Sequence, residues 1–166
     1  MFFLLTVSVA WVADNADLTA VKKENRPKER VAEKMVSQSA HQMTDEVRMA
    51  RGEGGHYWID GEVDGTAVTF VVDTGASFIS LSYEDAEKAG LDPGNLEYDG
   101  RINTANGVAR IARINLSSFR VGAIEVYDVP AIVSSPGSLS VSLLGMSFLN
   151  RLDSFQVEGE HLVLRR

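Results

Sequence analysis

Two tight-turn dipeptides, each between segments of strand-like pattern, constrain the fold of this chain more than any other feature. Asp64-Gly65 separates residues 57–63 from residues 66–72, and apolar side chains recur there with a period of two. Asn106-Gly107 separates a second pair of such segments. Both positions of a two-residue hairpin turn must tolerate positive φ, which Asn, Asp and Gly do. The sequence therefore predicts two β-hairpins.

The rest of the pattern predicts a mostly β domain. Ser82 is a good N-cap for a short helix over residues 83–89, and Gly90 is a plausible stop for it. Many short strands with one brief helix are typical of a small β-barrel. The predicted fold class is therefore all-β, a closed β-barrel with one short helix. Its further strands are predicted at 114–121, 124–133, 141–144, 155–157 and 161–164.

Composition excludes several classes of protein. The 166 residues include no cysteine, which rules out a disulfide scaffold, a thiol nucleophile and a thiolate metal site. Three histidines lie far apart without metal-ligand spacing, so a zinc hydrolase is not expected and no metal site is predicted. The net charge of −7 falls on residues 51–166, because acidic and basic side chains balance over the first fifty. Such an acidic domain repels phosphate backbones, and nucleic acid is not an expected partner.

The N-terminal third differs in character from the rest. Residues 1–13 are largely apolar, which is shorter than the roughly 20 residues that cross a bilayer, and they are predicted to be a signal or a truncated membrane anchor. Residues 14–53 are polar and charge-mixed, and are predicted to be a tether, partly helical or disordered. The glycine cluster within residues 51–55 marks the predicted boundary of a domain over residues 54–166.

An acidic loop follows the second of these strands. The apolar run 68–72 ends at Asp73-Thr74-Gly75-Ala76-Ser77, which predicts a buried carboxylate at a strand end. Burial of a lone ionised carboxylate costs several kcal/mol, so such an acid needs a partner, a shared proton or both. A second carboxylate about 3 Å away would form a proton-sharing dyad. The plainer interpretation, which the loop alone favours, is a turn aspartate that caps local N–H groups.

Three motifs in order resemble one family. The loop 73–77, the hairpin tip 104–107 and Leu143-Leu144-Gly145 together resemble the retropepsin family of aspartic proteases. More narrowly, the segments around these motifs look like the bacterial retropepsin-like proteases tethered to the inner membrane. The resemblance covers about residues 54–166. It implies an acid-protease barrel of one lobe, in which a strand bearing apolar-apolar-Gly supports the acid loop and a hairpin flap covers the cleft.

The resemblance also implies roles for individual residues. Asp73 is expected to be the catalytic group, with a water as the nucleophile and no cofactor. The remaining site residues are expected to be Thr74, Gly75, Ala76 and Ser77 in the catalytic loop, Leu144 and Gly145 in the supporting strand, and Thr104, Ala105, Asn106 and Gly107 in the substrate-binding flap.

One such loop per chain implies that catalysis requires a homodimer, with residues 161–166 as a candidate dimer strand. The predicted function is an aspartic endopeptidase acting on protein or peptide substrates, with apolar side chains expected near the cleaved bond. The alternative is a noncatalytic dimerisation or peptide-binding module on the same fold. The predicted location is the inner membrane with a periplasmic protease domain, and the alternatives are a secreted or periplasmic protein and a cytoplasmic one.

Overall fold

The computed structural model describes residues 45–104 and 107–166, and within them the fold is mostly β. Two short helices, α1 (Tyr83–Lys88) and α2 (Met146–Leu149), accompany 3-10 turns at Glu53–Gly55 and Pro93–Asn95. The predicted all-β class is confirmed, with two short helices in the described residues where the sequence predicted one. The strands are β1 (Glu46–Ala50), β2 (Trp58–Val63), β3 (Thr66–Val72), β4 (Ile79–Leu81), β5 (Gly100–Thr104), β6 (Gly107–Val121), β7 (Ile124–Ser134), β8 (Ser142–Leu144), β9 (Ser154–Glu158) and β10 (His161–Arg165).

Seven strands form the larger sheet, in the order β2-β3-β8-β4-β7-β6-β5. Strand β2 pairs with β6 as well as with β3, through Glu62↔Arg120 and Val63↔Phe119. The series of hydrogen-bonded neighbours that starts at β2 and runs through β3, β8, β4, β7 and β6 therefore ends at β2 again. Asp64 extends this join, because its carboxylate accepts a hydrogen bond from the Ser118 N–H at 2.7 Å.

Both predicted hairpins are present, although Gly107, predicted as a turn residue, is the first paired residue of β6. In the β2–β3 hairpin, Asp64 and Gly65 have φ values of 46° and 89°, as a turn with positive φ at both central positions requires. In the second, β5 pairs with β6 up to Thr104↔Gly107. The predicted strands on either side of residue 113 are one continuous 15-residue strand, β6, so the flap arm continues directly into the main sheet.

Three phenylalanines form the centre of the core. The rings of Phe70 and Phe119 meet edge to face with centroids 5.3 Å apart, and those of Phe119 and Phe148 lie 5.1 Å apart. All three side chains are fully buried, which contributes about 2–3 kcal/mol each. This cluster joins β3 and β6 to α2, and so fixes two of the elements that flank the acidic loop.

The smaller sheet has the order β1-β10-β9 and differs from the predicted helical tether. Glu46–Ala50 was predicted to lie within the tether, whereas it forms β1 and pairs antiparallel with β10. The segment forms a strand because buried and exposed side chains alternate along it. Met49 is buried in the core and Val47 packs against the core, while their neighbours are exposed. Strand β10 is the middle strand of this sheet, so residues 161–165, expected as a dimer strand, pair on both sides within their own chain.

An ion-pair cluster covers the outer face of this sheet. Arg165 donates to Glu46 and Glu158 at 2.7 and 2.8 Å, and Arg48 donates to Glu158 at 3.1 Å. Gln156 also donates to Glu158, at 2.7 Å. The hydrogen bonds that Glu158 accepts, first from Arg165 and then from Gln156, lower its pKa below the ordinary value.

The predicted signal or anchor, residues 1–13, and the tether up to residue 44 lie outside the described residues. Within the part of the chain that the structure describes, no helix is long and apolar enough to span a membrane.

Candidate active site

Asp73 directly follows β3 and is held at both its backbone and its side chain. Its N–H donates to the Leu144 carbonyl oxygen at 3.0 Å. Its Oδ1 accepts a hydrogen bond from the Gly75 N–H at 2.8 Å. The residue is half-buried in the single chain, rather than fully buried as the sequence predicted. The carboxylate therefore has a fixed position while part of it stays accessible.

The loop after Asp73 is a tight turn. The Ala76 N–H donates to the Asp73 carbonyl oxygen at 3.2 Å, which closes the turn. The Ala76 carbonyl oxygen in turn accepts from the Met146 N–H at 2.8 Å, which ties the loop to α2. Thr74 and Ser77 are exposed. All five residues predicted for this loop thus lie at one end of β3, with two hydroxyl side chains on its outer surface.

The predicted supporting strand lies directly beside this loop. Strand β8 pairs in parallel with β3, where Leu144 is opposite Val72, and Leu144 itself is fully buried. Gly145 follows, and a Cβ there would lie 2.2 Å from the Phe78 carbonyl oxygen and 2.6 Å from that of Ala76. No side chain fits between these backbone atoms, so only glycine allows β8 to approach the acid loop this closely.

Two serines that the sequence interpretation missed strengthen this arrangement. Ser147 of α2 accepts a hydrogen bond from the Ile79 N–H at 2.8 Å. Ser142 of β8 accepts from the Ser82 N–H at 3.1 Å and donates to the Asp85 carboxylate at 2.6 Å. Ser142 is fully buried, so it joins β8 to the start of α1 out of contact with solvent.

The only sequence signal for this connection is the N-cap of α1. The Ser82 side chain accepts from the Asp85 N–H at 3.1 Å, in a Ser-x-x-Asp pattern that is readable in the sequence. Nothing in the local sequence indicates that Ser142 would join it.

A cleft of about 660 Å³ opens beside Asp73. The acid loop lines one side of it, and β5 lines another through Ile102, Asn103 and Thr104. Thr104 also donates from Oγ1 to the Gly107 carbonyl oxygen at 2.9 Å, across the base of the hairpin tip. Ala105 and Asn106, predicted at the tip itself, lie outside the described residues. The structure therefore brings the acid loop and the β5 arm of the predicted flap to one cleft.

Asp73 is the only charged residue among the described residues that line this cleft. A carboxylate in such surroundings can hold a water molecule by a hydrogen bond and accept its proton. Within residues 45–104 and 107–166, no group of three or more His, Asp or Glu side chains is arranged to hold a metal ion.

A second, smaller groove of about 380 Å³ lies beside the same loop. Asp73 and Thr74 line one part of it, and β9 lines another through Phe155, Gln156 and Val157. Val157 is 55% exposed on this strand. The acid loop thus separates two depressions, one bordered by the flap arm and the other by a sheet edge.

Comparison with known proteins relates this chain to aspartic proteases. Residues 59–151 match the family described as "gag-polyprotein putative aspartyl protease". The crystal structure of a retropepsin-like aspartic protease from Rickettsia conorii is 39% identical, with a TM-score of 0.65, and the match covers 72% of this chain and 98% of that one.

Two further matches differ in what they show. An uncharacterized protein in the cobV 5′ region of a Sinorhizobium species is 44% identical over 120 residues, 72% of this chain but 52% of the relative, so the chain spans about half of that relative's length. The structure of EIAV protease complexed with the inhibitor HBY-793 is 15% identical, with a TM-score of 0.52, and covers 64% of this chain and 97% of that chain. The second match shows a shared fold alone.

Proposed function

The chain belongs to the retropepsin-like aspartic protease family, and on that premise we propose that it is an aspartic endopeptidase in which two copies each contribute Asp73. The observation that carries the proposal is the position of the Asp73 carboxylate. It is held by the Gly75 N–H, braced from behind by Leu144 and Gly145, and is the one charged group among the described residues of a cleft that β5 also lines.

The proposed mechanism uses the two Asp73 carboxylates as a unit that shares one proton. The ionised carboxylate takes a proton from a bound water, and the water oxygen forms a bond to the carbonyl carbon of the peptide. The protonated carboxylate donates to the carbonyl oxygen. When the C–N bond breaks, a proton passes from the pair to the leaving nitrogen, so no cofactor is needed.

The other predicted site residues are proposed to position this pair and the substrate. The Gly75 N–H fixes the carboxylate, and the exposed hydroxyl of Thr74 is proposed to bond to the loop of the second copy. Ala76 keeps the loop small beside Gly145, and Ser77 is proposed to stabilise the loop. Thr104, Ala105, Asn106 and Gly107 are proposed to cover an extended substrate and to hydrogen-bond its backbone.

The second copy is proposed to dock at the smaller groove. Strand β9 has β10 as its one neighbour in the described sheet, so its other edge offers N–H and C=O groups to a further strand. The exposed Val157 and the half-buried Phe155 on β9 add apolar area next to Thr74. A two-fold contact at this edge brings two identical acid loops toward one axis.

Cleavage profiling of a peptide library by the full chain, across pH, tests the enzyme. The substitution Asp73→Asn removes the proton-sharing pair while keeping the side-chain shape, and cleavage is expected to fall by at least about 10³-fold. Asp60→Asn is the matched control, because Asp60 is exposed, accepts from Thr69 at 2.7 Å and lies outside the cleft. Equal cleavage by Asp73→Asn and the unmodified chain would contradict the proposal.

A noncatalytic dimerisation or peptide-binding module is the second candidate. The observation that favours it is the bond from the Gly75 N–H to Asp73, which is also the role of an ordinary turn aspartate. Peptide binding without cleavage at any pH between acid and neutral would support this function and exclude the enzyme.

The cellular location is also a proposal. The apolar residues 2–13, followed by a long polar segment, support a tether at the inner membrane with the protease domain in the periplasm. A compartment-dependent reporter fused after Arg166 in the full-length gene tests it. Reporter activity in the cytoplasm would contradict it, and release of the reporter from the membrane fraction would favour a secreted or periplasmic protein.

A further inference from the structure

The floor of the cleft contains a hydroxyl group between two aliphatic side chains. Ser80 of β4 pairs with Ile132 of β7 on one side and with Leu143 of β8 on the other. All three residues line the cleft. Three strands that are far apart in sequence therefore form one row across the floor, in the order Ile132, Ser80, Leu143.

Strand alternation fixes the direction of these side chains. Ile79 and Leu81, on either side of Ser80, are fully buried in the core, so Ser80 faces the opposite side, toward the cleft. On β7, Val133 lies in the core, and the cleft side receives Ile132 and Ser134. The floor thus presents two hydroxyl groups, and their residues are only 5% and 2% exposed.

The hydrogen bonding of Ser80 defines what a ligand meets there. Its hydroxyl donates to the Phe78 carbonyl oxygen at 3.2 Å, which uses its one proton and leaves the lone pairs of its oxygen to accept a further hydrogen bond. An apolar side chain laid over this floor takes water away from Ser80 and Ser134 and returns no hydrogen bond, which is unfavourable. A side chain with an N–H or O–H group replaces the lost water directly.

The charges in the cleft further restrict which substrate side chains can bind at the floor. Among the described residues of the cleft, Asp73 is the only charged one, and it is already assigned to the reaction. A charged substrate side chain at the floor is desolvated there with no opposite charge of its own to meet. Ile132 and Leu143 meanwhile provide apolar contact for a short aliphatic stem.

We propose that this floor is a subsite for an uncharged, hydrogen-bonding side chain of the substrate peptide, and that Ser80 determines this preference. Asparagine, glutamine and threonine are favoured there over leucine, methionine and valine. The inference rests on the proposed protease function and differs from the apolar preference that the family resemblance implied.

Profiling with matched peptides tests the subsite. Peptides identical except for threonine or valine, or asparagine or leucine, at each position near the cleaved bond are given to the full chain and to Ser80→Ala and Ser80→Val. At one position the unmodified chain is expected to prefer the hydrogen-bonding residue by about tenfold in kcat/KM, the value of one neutral hydrogen bond. Ser80→Ala is expected to remove the preference, and Ser80→Val to reverse it.

Ser117→Ala is the control, because Ser117 is exposed on β6 outside the cleft, and its profile is expected to equal that of the unmodified chain. A uniformly apolar preference in the unmodified chain, or an unchanged profile in Ser80→Ala, would overturn the inference.

A binding measurement separates failure of this inference from failure of the protease function. Peptides retained by Asp73→Asn are compared with those retained by Asp73→Asn/Ser80→Ala, which requires no chemistry. Retention that depends on Ser80, together with no cleavage by the unmodified chain, would support the subsite and contradict the protease. Retention of the same apolar peptides by both variants would contradict the subsite, whether or not the chain cleaves peptides.

Discussion

The two sides of the cleft are built in opposite ways. The acid loop is held by backbone hydrogen bonds to β8 and α2, and Gly145 beneath it has no room for a single added carbon. Across the cleft, Val108 on the flap is 68% exposed, and a Cβ at Gly107 would meet nothing within 4 Å. The acid loop is thus fixed by contacts with neighbouring elements, whereas the hairpin that we propose covers the substrate is bonded mainly within itself near its tip.

The flap is not loose along its whole length. At its base, the Arg110 guanidinium donates two hydrogen bonds to the Tyr98 carbonyl oxygen, at 3.1 and 2.6 Å. Near the same end, a Cβ at Gly100 would lie 2.8 Å from Ile111. Packing therefore decreases from the base of the hairpin toward its tip, so substitutions should have large effects at the acid loop, smaller ones along the flap and very small ones on the outer surface.

The largest effect is expected for Gly145→Ala. The new methyl group would overlap two backbone carbonyl oxygens, so the free energy of unfolding is expected to fall by about 3 kcal/mol or more. Urea unfolding measures the loss. Gly107→Ala is the flap counterpart: it has open space but a φ of 113°, and a loss of about 1–2 kcal/mol is expected. Equal losses in the two variants would contradict the difference in packing between the acid loop and the flap.

A moderate effect is expected for Ser142→Ala. The change leaves the buried Ser82 N–H and the Asp85 carboxylate without this hydroxyl, which is expected to lower the free energy of unfolding by about 2 kcal/mol. Ser117→Ala, an exposed serine on β6, is expected to change it by less than about 0.5 kcal/mol in the same urea titration. A Ser142 variant as stable as the control would show that β8 is positioned without this connection.

A small effect on stability is expected for Thr104→Val. The substitution keeps the side-chain volume and removes the bond from Oγ1 to the Gly107 carbonyl oxygen, so a loss below about 1 kcal/mol is expected. Thr104 lines the cleft, so kcat/KM for peptides is also expected to fall. Expressed as a free energy, this loss is expected to exceed the loss in the free energy of unfolding. Thermal unfolding measures the change in stability, and peptide kinetics on the same preparation measure the change in kcat/KM. A large loss of stability would show that the flap is packed as tightly as the core.

The smallest effect is expected on the ion-paired outer face. The pKa of Glu158 is lower in the folded chain, so its contribution to stability is present above its ordinary value of about 4.5 and is lost as pH falls through the lower folded value. Glu158→Gln is therefore expected to flatten the dependence of the unfolding midpoint on pH below 5, with little change at pH 7 because the pairs are exposed. A steeper acid dependence in the variant would contradict this assignment.

Local chemistry explains which elements were predictable from the sequence. The hairpin at Asp64-Gly65 and the helix capped by Ser82 depend on neighbouring residues alone, and both formed as predicted. Strand β1 depends on β10, more than a hundred residues later, and its five residues carry too few apolar positions to indicate a strand by themselves. The described sheet therefore includes residues that precede the boundary predicted from the glycine cluster.

In the candidate site too, features set by neighbouring residues were predictable, and features set by the pairing of distant strands were not. The acid loop and Leu143-Leu144-Gly145 have recognisable patterns, and their adjacency was implied by the family resemblance that those patterns carry. The floor residues Ser80, Ile132 and Ser134 were missed, because their direction follows from which strands pair. Single serines such as Ser142 and Ser147 have no pattern that distinguishes a buried connection from an exposed hydroxyl.

The pairing of β1 with β10 also brings the two ends of the described domain together. Asp45 and Arg166 exchange backbone hydrogen bonds of 3.0 and 3.1 Å. A few glycines therefore suffice to join residue 166 to residue 45, and new termini at the exposed Asp64-Gly65 turn would give a circular permutant with every strand in place. By the same geometry, any segment fused at either end projects from one spot on the surface.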